Sequence, residues 1–326
     1  MKEIGKILLP HGEEKKIFSF VPETPPENQI IFPDKKSLSI DWRRNFDYLT
    51  EVRKLYEQAE VVQEEATVNP ALDFPHLPAL VWFPSDMHIG NILTDHQLLK
   101  KHIDLVIDTP NCYGITVGDD VDNGVFNGLS FEQGMPPWMQ GFTVKDLAEE
   151  LGGRNARKKE LILARVTGNH DGWTFDKTGQ NWEQIWYGET NAPVFPGMGL
   201  LHLKVGKENY NLGLAHLYWG RSRLNPTNVC KRLLEYEYPE ADVVVVGHDH
   251  ISEVLKFQRG GKERVALRTG TYKTKDYYAR KHGMALRGQS GGACILFYPE
   301  EHKMLPFDKL EDGTKYLKTL IELFDN

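Results

Sequence analysis

Five short segments rich in Asp, Asn, His and Gly follow directly on five apolar runs, and this repeated junction constrains the fold more than any other feature of the chain. ALVWF leads into Pro84-Ser85-Asp86-Met87-His88, YGITV into Gly118-Asp119-Asp120-Val121-Asp122, and LILARV into Thr167-Gly168-Asn169-His170-Asp171. LGLA meets His216, and VVVV meets Gly247-His248-Asp249-His250. Short apolar runs bounded by turn residues read as buried strands. In open α/β sheets ligands gather at the carboxyl ends of strands, so these five segments, distant in sequence, are expected to converge on one crevice.

The residue types at those junctions define a chemistry. Carboxylate, imidazole and amide oxygen without thiolate form a borderline-hard donor set, suited to Mn²⁺, Fe or Zn²⁺ rather than to soft metals, and Mg²⁺ fits so many imidazoles less well. In the DxH pair of Asp86 and His88 and the HxH pair of His248 and His250, alternate residues of an extended segment point the same way and can share one centre. Asp119 lies 33 residues after Asp86, enough for one strand-helix-strand unit, so the two loops can be neighbours.

The rest of the chain agrees with an α/β fold. After ALVWF, helical patterns (Thr94 to Ile107, then VKDLAEEL, then Trp182 to Tyr187) alternate with strands; after Leu200 the pattern changes to hairpins around GKEN and RGGKE, the VVVV strand and a last strand in GGACILFYP. At 326 residues the chain exceeds the usual single-domain size of ~100–150. We expect an extension over 1–78, made of an extended Pro-rich arm and one amphipathic helix from Trp42 to about Ala66, a catalytic domain over 79–304, and a helical tail over 305–326 with its helix from Lys315 to Phe324. The extension is the candidate site for a protein partner, with docking on the catalytic domain as the simpler reading of its apolar face.

Charge and cysteine usage narrow the class. The balance of 39 Lys and Arg against 46 Asp and Glu, a net −7, disfavours binding of nucleic acid through overall charge alone. Cys112, Cys230 and Cys294 are odd in number and far apart, which suits reduced, buried thiols rather than a disulfide framework. No apolar run approaches the ~18 residues of a membrane span, and the opening lacks a secretory apolar stretch, so the chain is expected in the cytoplasm with no membrane partner.

The blocks DxH, GDxxD, GNHD, a lone His after a strand, and GHxH, in that order over roughly residues 79 to 300, resemble the calcineurin-like metallophosphoesterase superfamily. The resemblance implies a four-layer α-β-β-α sandwich of two mixed sheets, with the site at the strand carboxyl ends. It implies that Asp86, His88, Asp119 and His250 hold one divalent ion and that Asp119, Asn169, His216 and His248 hold the other, Asp119 bridging. Mn²⁺ is the first expectation for both ions, Fe or Zn²⁺ the alternatives. His170 would protonate the leaving oxygen, Asp171 would orient its ring, and a hydroxide bridging the two ions would attack phosphorus. Asp122 and Asp249 are then partners that fix a ligand imidazole or the loop.

Within the superfamily, SDMHIGN and GDDVDNG are most similar to the DNA-repair exonuclease branch, and RTGTYKTKDYYARKHG is similar to phage-encoded members of it. GNHDGW departs from the GNHE of Ser/Thr protein phosphatases, which argues against that activity. The expected function is phosphodiester hydrolysis on nucleic acid; a small-molecule phosphoesterase and a non-catalytic scaffold subunit are the alternatives. Arg221, Arg223, Lys273, Lys275, Arg280 and Lys281 are candidates for a cationic rim that binds substrate, or else are ordinary solvated residues. Trp173, Trp182, Trp186, Tyr187 and Trp219 are read as core packing, with base stacking the alternative. His102 and Asp95 are read as solvated residues of a surface helix, Asp120 as a loop carboxylate, and the long Gly- and Pro-rich segment from Gly124 to Phe142 as lining the mouth of the site.

Overall fold

The computed structural model describes residues 2–8, 14–19, 46, 50, 64–124, 132–178, 190–222, 224–274 and 291–324. The chain divides into two compact units, Met1–Val62 and Gln63–Asn326. In the first, β1 (Lys2–Leu8) and β2 (Glu14–Ser19) form an antiparallel hairpin where an extended arm was expected. Most of the expected Trp42 to Ala66 helix lies outside the described residues. Its last residues belong to a strand, β3 (Glu65–Val68), which pairs in parallel with β8 (Met198–Val205), so the second unit starts well before the expected boundary at 78.

The expected strands of the second unit form close to their predicted positions. β4 (Ala79–Trp82), β5 (Cys112–Val117), β6 (Ile162–Val166) and β7 (Val194–Phe195) run parallel, and β13 (Cys294–Phe297) and β14 (Met304–Phe307) extend the sheet antiparallel on the β4 side. The second sheet has the order β11 (Glu253–Arg259), β12 (Lys262–Arg268), β10 (Val243–Val246), β9 (Glu208–Ala215), β8, β3. Both sheets are six-stranded and mixed. Gly260 and Gly261, both at positive φ, make the two-residue turn between β11 and β12, the backbone handedness that right-twisted hairpins demand.

Side-chain alternation shows the layers. Along β10, Val243 and Val245 join the large core shared by the two sheets, whereas Val244 and Val246 join a second core with Val229, Cys230, Leu233 and Leu234 of α4 (Asn228–Tyr236). On β12, Val265 and Leu267 face the first core and Ala266 the second. A strand buried on both faces needs no polar alternation, which is why VVVV is uninterrupted. The first sheet is covered by α1 (His96–Asp108), packed on β5, and α5 (Leu310–Phe324), packed on β4, β13 and β14. The result is the expected α-β-β-α sandwich.

Two further helices differ from the sequence reading. α2 (Pro137–Glu149) begins seven residues before VKDLAEEL, with Pro137 in its first turn, where a missing N–H costs nothing. α3 (Asn169–Thr178) starts inside the GNHD block, a helix the sequence reading did not include, as it did not include α4. The tail expected from residue 305 instead begins within β14, and α5 starts at Leu310 rather than Lys315. All three cysteines are buried, as expected, and burial pushes their thiols well above the ordinary range.

Candidate metal centre

All five junctions open on one place because β4, β5 and β6 of one sheet and β9 and β10 of the other end together. Backbone bonds lock the loops to each other: the Asp86 N–H donates to Gly118 O (2.9 Å), His88 N–H to Asp119 O (3.1 Å) and Ile89 N–H to Asp120 O (2.9 Å). Across the sheets, the His248 N–H donates to Asp86 Oδ2 (2.9 Å), and Ser85 Oγ donates to the same carboxylate.

The expected ligands gather in two clusters. In the first, His250 Nε2 lies 3.2 Å from Asp86 Oδ1 and 3.0 Å from His88 Nε2. In the second, His216 Nε2 lies 3.2 Å from Asp119 Oδ2, 3.0 Å from Asn169 Oδ1 and 3.3 Å from His248 Nδ1. Separations of this size are those of donor atoms sharing one ion at the usual bond lengths of ~2.0–2.2 Å. Asp86 Oδ1 is buried without a hydrogen-bond partner, an arrangement that costs free energy unless a cation completes it. The residues therefore fit two divalent ions. Asp119 Oδ2 belongs to the second cluster, and its Oδ1 accepts from the His170 N–H at 2.8 Å.

Backbone conformation marks the same residues. Eight described non-glycine residues have positive φ, and Asp86, His88, Asp119, His248 and His250 are five of them. Each costs of order 1–3 kcal/mol and persists where surrounding structure forces it, a pattern typical of functional sites. Glycines make the crowding feasible: a Cβ on Gly168 would collide with the backbone N and Oδ1 of Asp119, and one on Gly118, at φ +86°, would stand 2.6 Å from His216 Nδ1.

Electrostatics favour cation binding. Burial opposes ionisation of Asp86 and Asp119, yet the facing His250 and His216 hold both carboxyls below the usual range. Burial lowers His88 to about 4 and also lowers His248. Burial acts the same way on His216, but the Asp119 carboxylate outweighs it and raises that imidazole to about 10. At pH 7 the metal-free site thus holds a proton on His216 and none on His88. A metal-bound imidazole is neutral, so loading at pH 7 should release the His216 proton, and affinity should rise with pH until about 10. Titration calorimetry in buffers of different ionisation enthalpy counts that proton; zero released would contradict the His216 assignment.

The residues around the ligands hold them in place. Asp122 Oδ1 faces His88 Nδ1 at 3.2 Å, which leaves His88 Nε2 for the first cluster. Asp171 does not reach the ring of His170, contrary to expectation. Its carboxylate instead accepts from the N–H groups of Gly168 (2.8 Å), Asp119 (3.1 Å) and Asp120 (3.0 Å), tying the GNHD loop to the GDD loop. The His170 ring is set by the Asp122 carbonyl, 2.5 Å from Nδ1, and its Nε2 stands 3.9 Å from Asp119 Oδ2. Asp249 holds the loop between His248 and His250 by pairing with buried Arg268 (2.9 Å) and with Arg221 (3.1 Å), whose side chain is half exposed. Arg223, Lys275, Arg280 and Lys281 lie outside the described residues.

Several sequence readings are corrected here. Lys273 is not a rim residue: it is 5% exposed, with Nζ 3.4 Å from Asp122 Oδ1 and 3.6 Å from Glu132 Oε2. His102 is not solvated, but packs beneath α1 with Nδ1 2.6 Å from the Tyr272 hydroxyl. Asp120 is no mere loop carboxylate. It is fully buried against Arg165, 2.7 Å away, and burial raises it to about 7 despite that guanidinium. Arg165 was missed altogether, although an Arg in the middle of the apolar run LILARV is a signal that a carboxylate waits inside. Of the tryptophans, Trp173 lies on the His170 ring, and Trp219 is half exposed under the Arg232 guanidinium. Trp182, Trp186 and Tyr187 lie outside the described residues. Of the segment expected to line the mouth, residues 125–131 are likewise outside. Beyond them Gln140 of α2 accepts from the Asn123 N–H at 2.8 Å.

No protein-family model matches the chain, and no curated protein matches its sequence. Solved structures do match. Vacuolar protein sorting 29 from Cryptosporidium parvum shares 16% identity over 71% of this chain and 96% of its own, with a TM-score of 0.35. A putative 5'-nucleotidase from Staphylococcus aureus shares 13% over 75% of this chain and 58% of its own, at 0.41. The nuclease MPE from Pseudomonas putida shares 14% over 70% of this chain and 87% of its own, at 0.32. These are likenesses of fold; the chemistry stands on the side chains of this chain, in the architecture that the motif resemblance implied.

Proposed function

We propose that the protein is a dinuclear metal-dependent phosphoesterase of the calcineurin-like type, acting on phosphodiesters, with nucleic acid as the substrate class. The carrying observation is the convergence of seven donor residues from five strand ends into two clusters, each with donor atoms close enough to share one ion. Divalent cations held there supply neutralisation of phosphoryl oxygens and acidification of water. The chain's own residues do the rest. Asp86, His88 and His250 on one side, and Asp119, Asn169, His216 and His248 on the other, keep the two centres adjacent. The Asp122 carbonyl holds the Nδ1 side of His170, so Nε2 is the atom that passes a proton to a leaving alkoxide. Mn²⁺ is our first candidate for this mixed carboxylate and imidazole set, with Fe or Zn²⁺ as the alternatives, and the cytoplasm is the compartment we assign. Preference for nucleic acid rests on the SDMHIGN and GDDVDNG likeness, and the half-exposed Arg221, held by Asp249 beside the His248–His250 loop, is the candidate contact for a flanking phosphate.

The test is hydrolysis, with Mn²⁺, of bis(p-nitrophenyl) phosphate, p-nitrophenyl phosphate and labelled single- and double-stranded DNA. Diester and DNA cleavage is the expected result. Cleavage of the monoester alone would replace nucleic acid with small phosphorylated metabolites. Protein that takes up no transition metal would end the enzymatic reading and restore that of a scaffold.

A further inference from the structure

The sequence reading left Trp173 to core packing or base stacking, yet its indole sits on the ring that the proposed reaction depends on most. α3 begins at Asn169, which places His170 and Trp173 three residues apart on one helical face. Their ring centroids are 3.7 Å apart with planes inclined by 32°, so the indole covers a face of the imidazole. The His170 and His88 rings meet edge to face, with centroids 4.6 Å apart and planes at 82°. The His170 N–H is tied to Asp119 Oδ1 and its Nδ1 to the Asp122 carbonyl.

These contacts are not equivalent. The two hydrogen bonds fix the backbone and one ring atom. The Nδ1 bond opposes a half-turn about χ2, which would present a carbon to the Asp122 carbonyl, but a single hydrogen bond tolerates tilting of the ring about that intrinsically broad torsion. Such a tilt carries Nε2, and the proton on it, away from the leaving group's position. The indole lies against a face of the ring and opposes that tilt. We propose that Trp173 is a positioning residue which holds His170 Nε2 in line with the leaving oxygen. This rests on the proposed function, and its test is arranged to separate the two.

A proton donor matters for an alkoxide leaving group and little for p-nitrophenolate, which departs without one. In Trp173→Ala the kcat for an alkyl phosphoester should therefore fall by about 10–100-fold, while the p-nitrophenyl ester of the same phosphoryl class should change by less than about threefold. Trp173→Phe, which restores an aromatic face, should recover most of the loss. His170→Ala should show the same split, and the double variant should be no slower than His170→Ala alone. Equal losses on both esters, or losses that multiply in the double variant, would overturn the proposal while leaving the phosphoesterase reading intact.

A readout independent of turnover is the NMR position of the His170 ring protons in the metal-free protein. The indole ring current should displace them upfield, and Trp173→Ala should abolish the displacement. If the wild type binds two metal ions and cleaves neither ester, the proposed function fails. The positioning role is then decided by that displacement, and unchanged resonances in Trp173→Ala overturn it.

Discussion

Asp119→Ala is expected to remove phosphoester hydrolysis and to empty the second cluster of metal while leaving the fold in place. Its Oδ2 is the carboxylate oxygen of that cluster, 3.2 Å from His216 Nε2, and its Oδ1 anchors the His170 N–H. Losing an outer partner of a metal ligand costs ~10–100-fold in affinity or activity, so losing the ligand itself should exceed that range. The strand packing around it is apolar and does not depend on the carboxylate. Elemental analysis of the purified variant, hydrolysis of bis(p-nitrophenyl) phosphate and far-UV circular dichroism check the three parts. A variant that keeps full metal content would refute the cluster assignment.

Gly168→Ala should do nearly as much damage with a single methyl group. The added carbon would overlap the backbone nitrogen and Oδ1 of Asp119 and come within 2.9 Å of its Cγ. Backbone cannot step aside as the end of a long side chain does, so the GDD and GNHD loops must separate, and the bonds from Asp119 and Asp120 to Asp171 separate with them. We expect metal affinity to fall by more than about 100-fold. Gly172, four residues on, is the control: a Cβ there meets no atom within 4 Å, and alanine should stabilise α3 by roughly 0.5–1 kcal/mol. Thermal unfolding of metal-free protein compares the two. Equal behaviour of the variants would mean that the tight approach of the two loops is unimportant.

The parts of the site that were legible in the sequence are those where local pattern and chemistry coincide. Asp86, His88, Asp119, Asn169, His216, His248 and His250 each follow an apolar run, and strand ends are where a parallel sheet places its ligands. What escaped depends on contacts between distant segments. Lys273 resembles its neighbours Lys275 and Arg280 in sequence and differs from a solvated lysine only because Asp122 and Glu132, from other loops, surround it. His102 stands three residues after Leu99 and four before Val106, on the buried stripe of α1, so its spacing was a signal that its polar character masked until Tyr272 supplied a partner. Asp171 was given the wrong task by the motif resemblance, which assigned it to the His170 ring. On the first turn of a helix, however, successive residues point about 100° apart, and Asp171 turns to the loop amides instead. β3 was hidden at the end of a long helical pattern, since a four-residue edge strand carries too few alternations to outweigh it.

The order in which the chain visits its two sheets has a consequence for unfolding. It lays β3 into one sheet, crosses to build β4 to β7 of the other, returns for β8 to β12, and crosses again for β13 and β14. The β4 strand at the heart of the first sheet gains its partner β13 some two hundred residues later, and the Trp82 indole N–H closes the same gap on Gly291 O at 2.6 Å. Neither sheet can peel away as a subdomain, because each is stitched shut by segments from both ends of the other. Residues 63–326 should melt in one step, and a ribosome-bound fragment that stops short of β13 should lack the completed sheet on which the DxH loop stands.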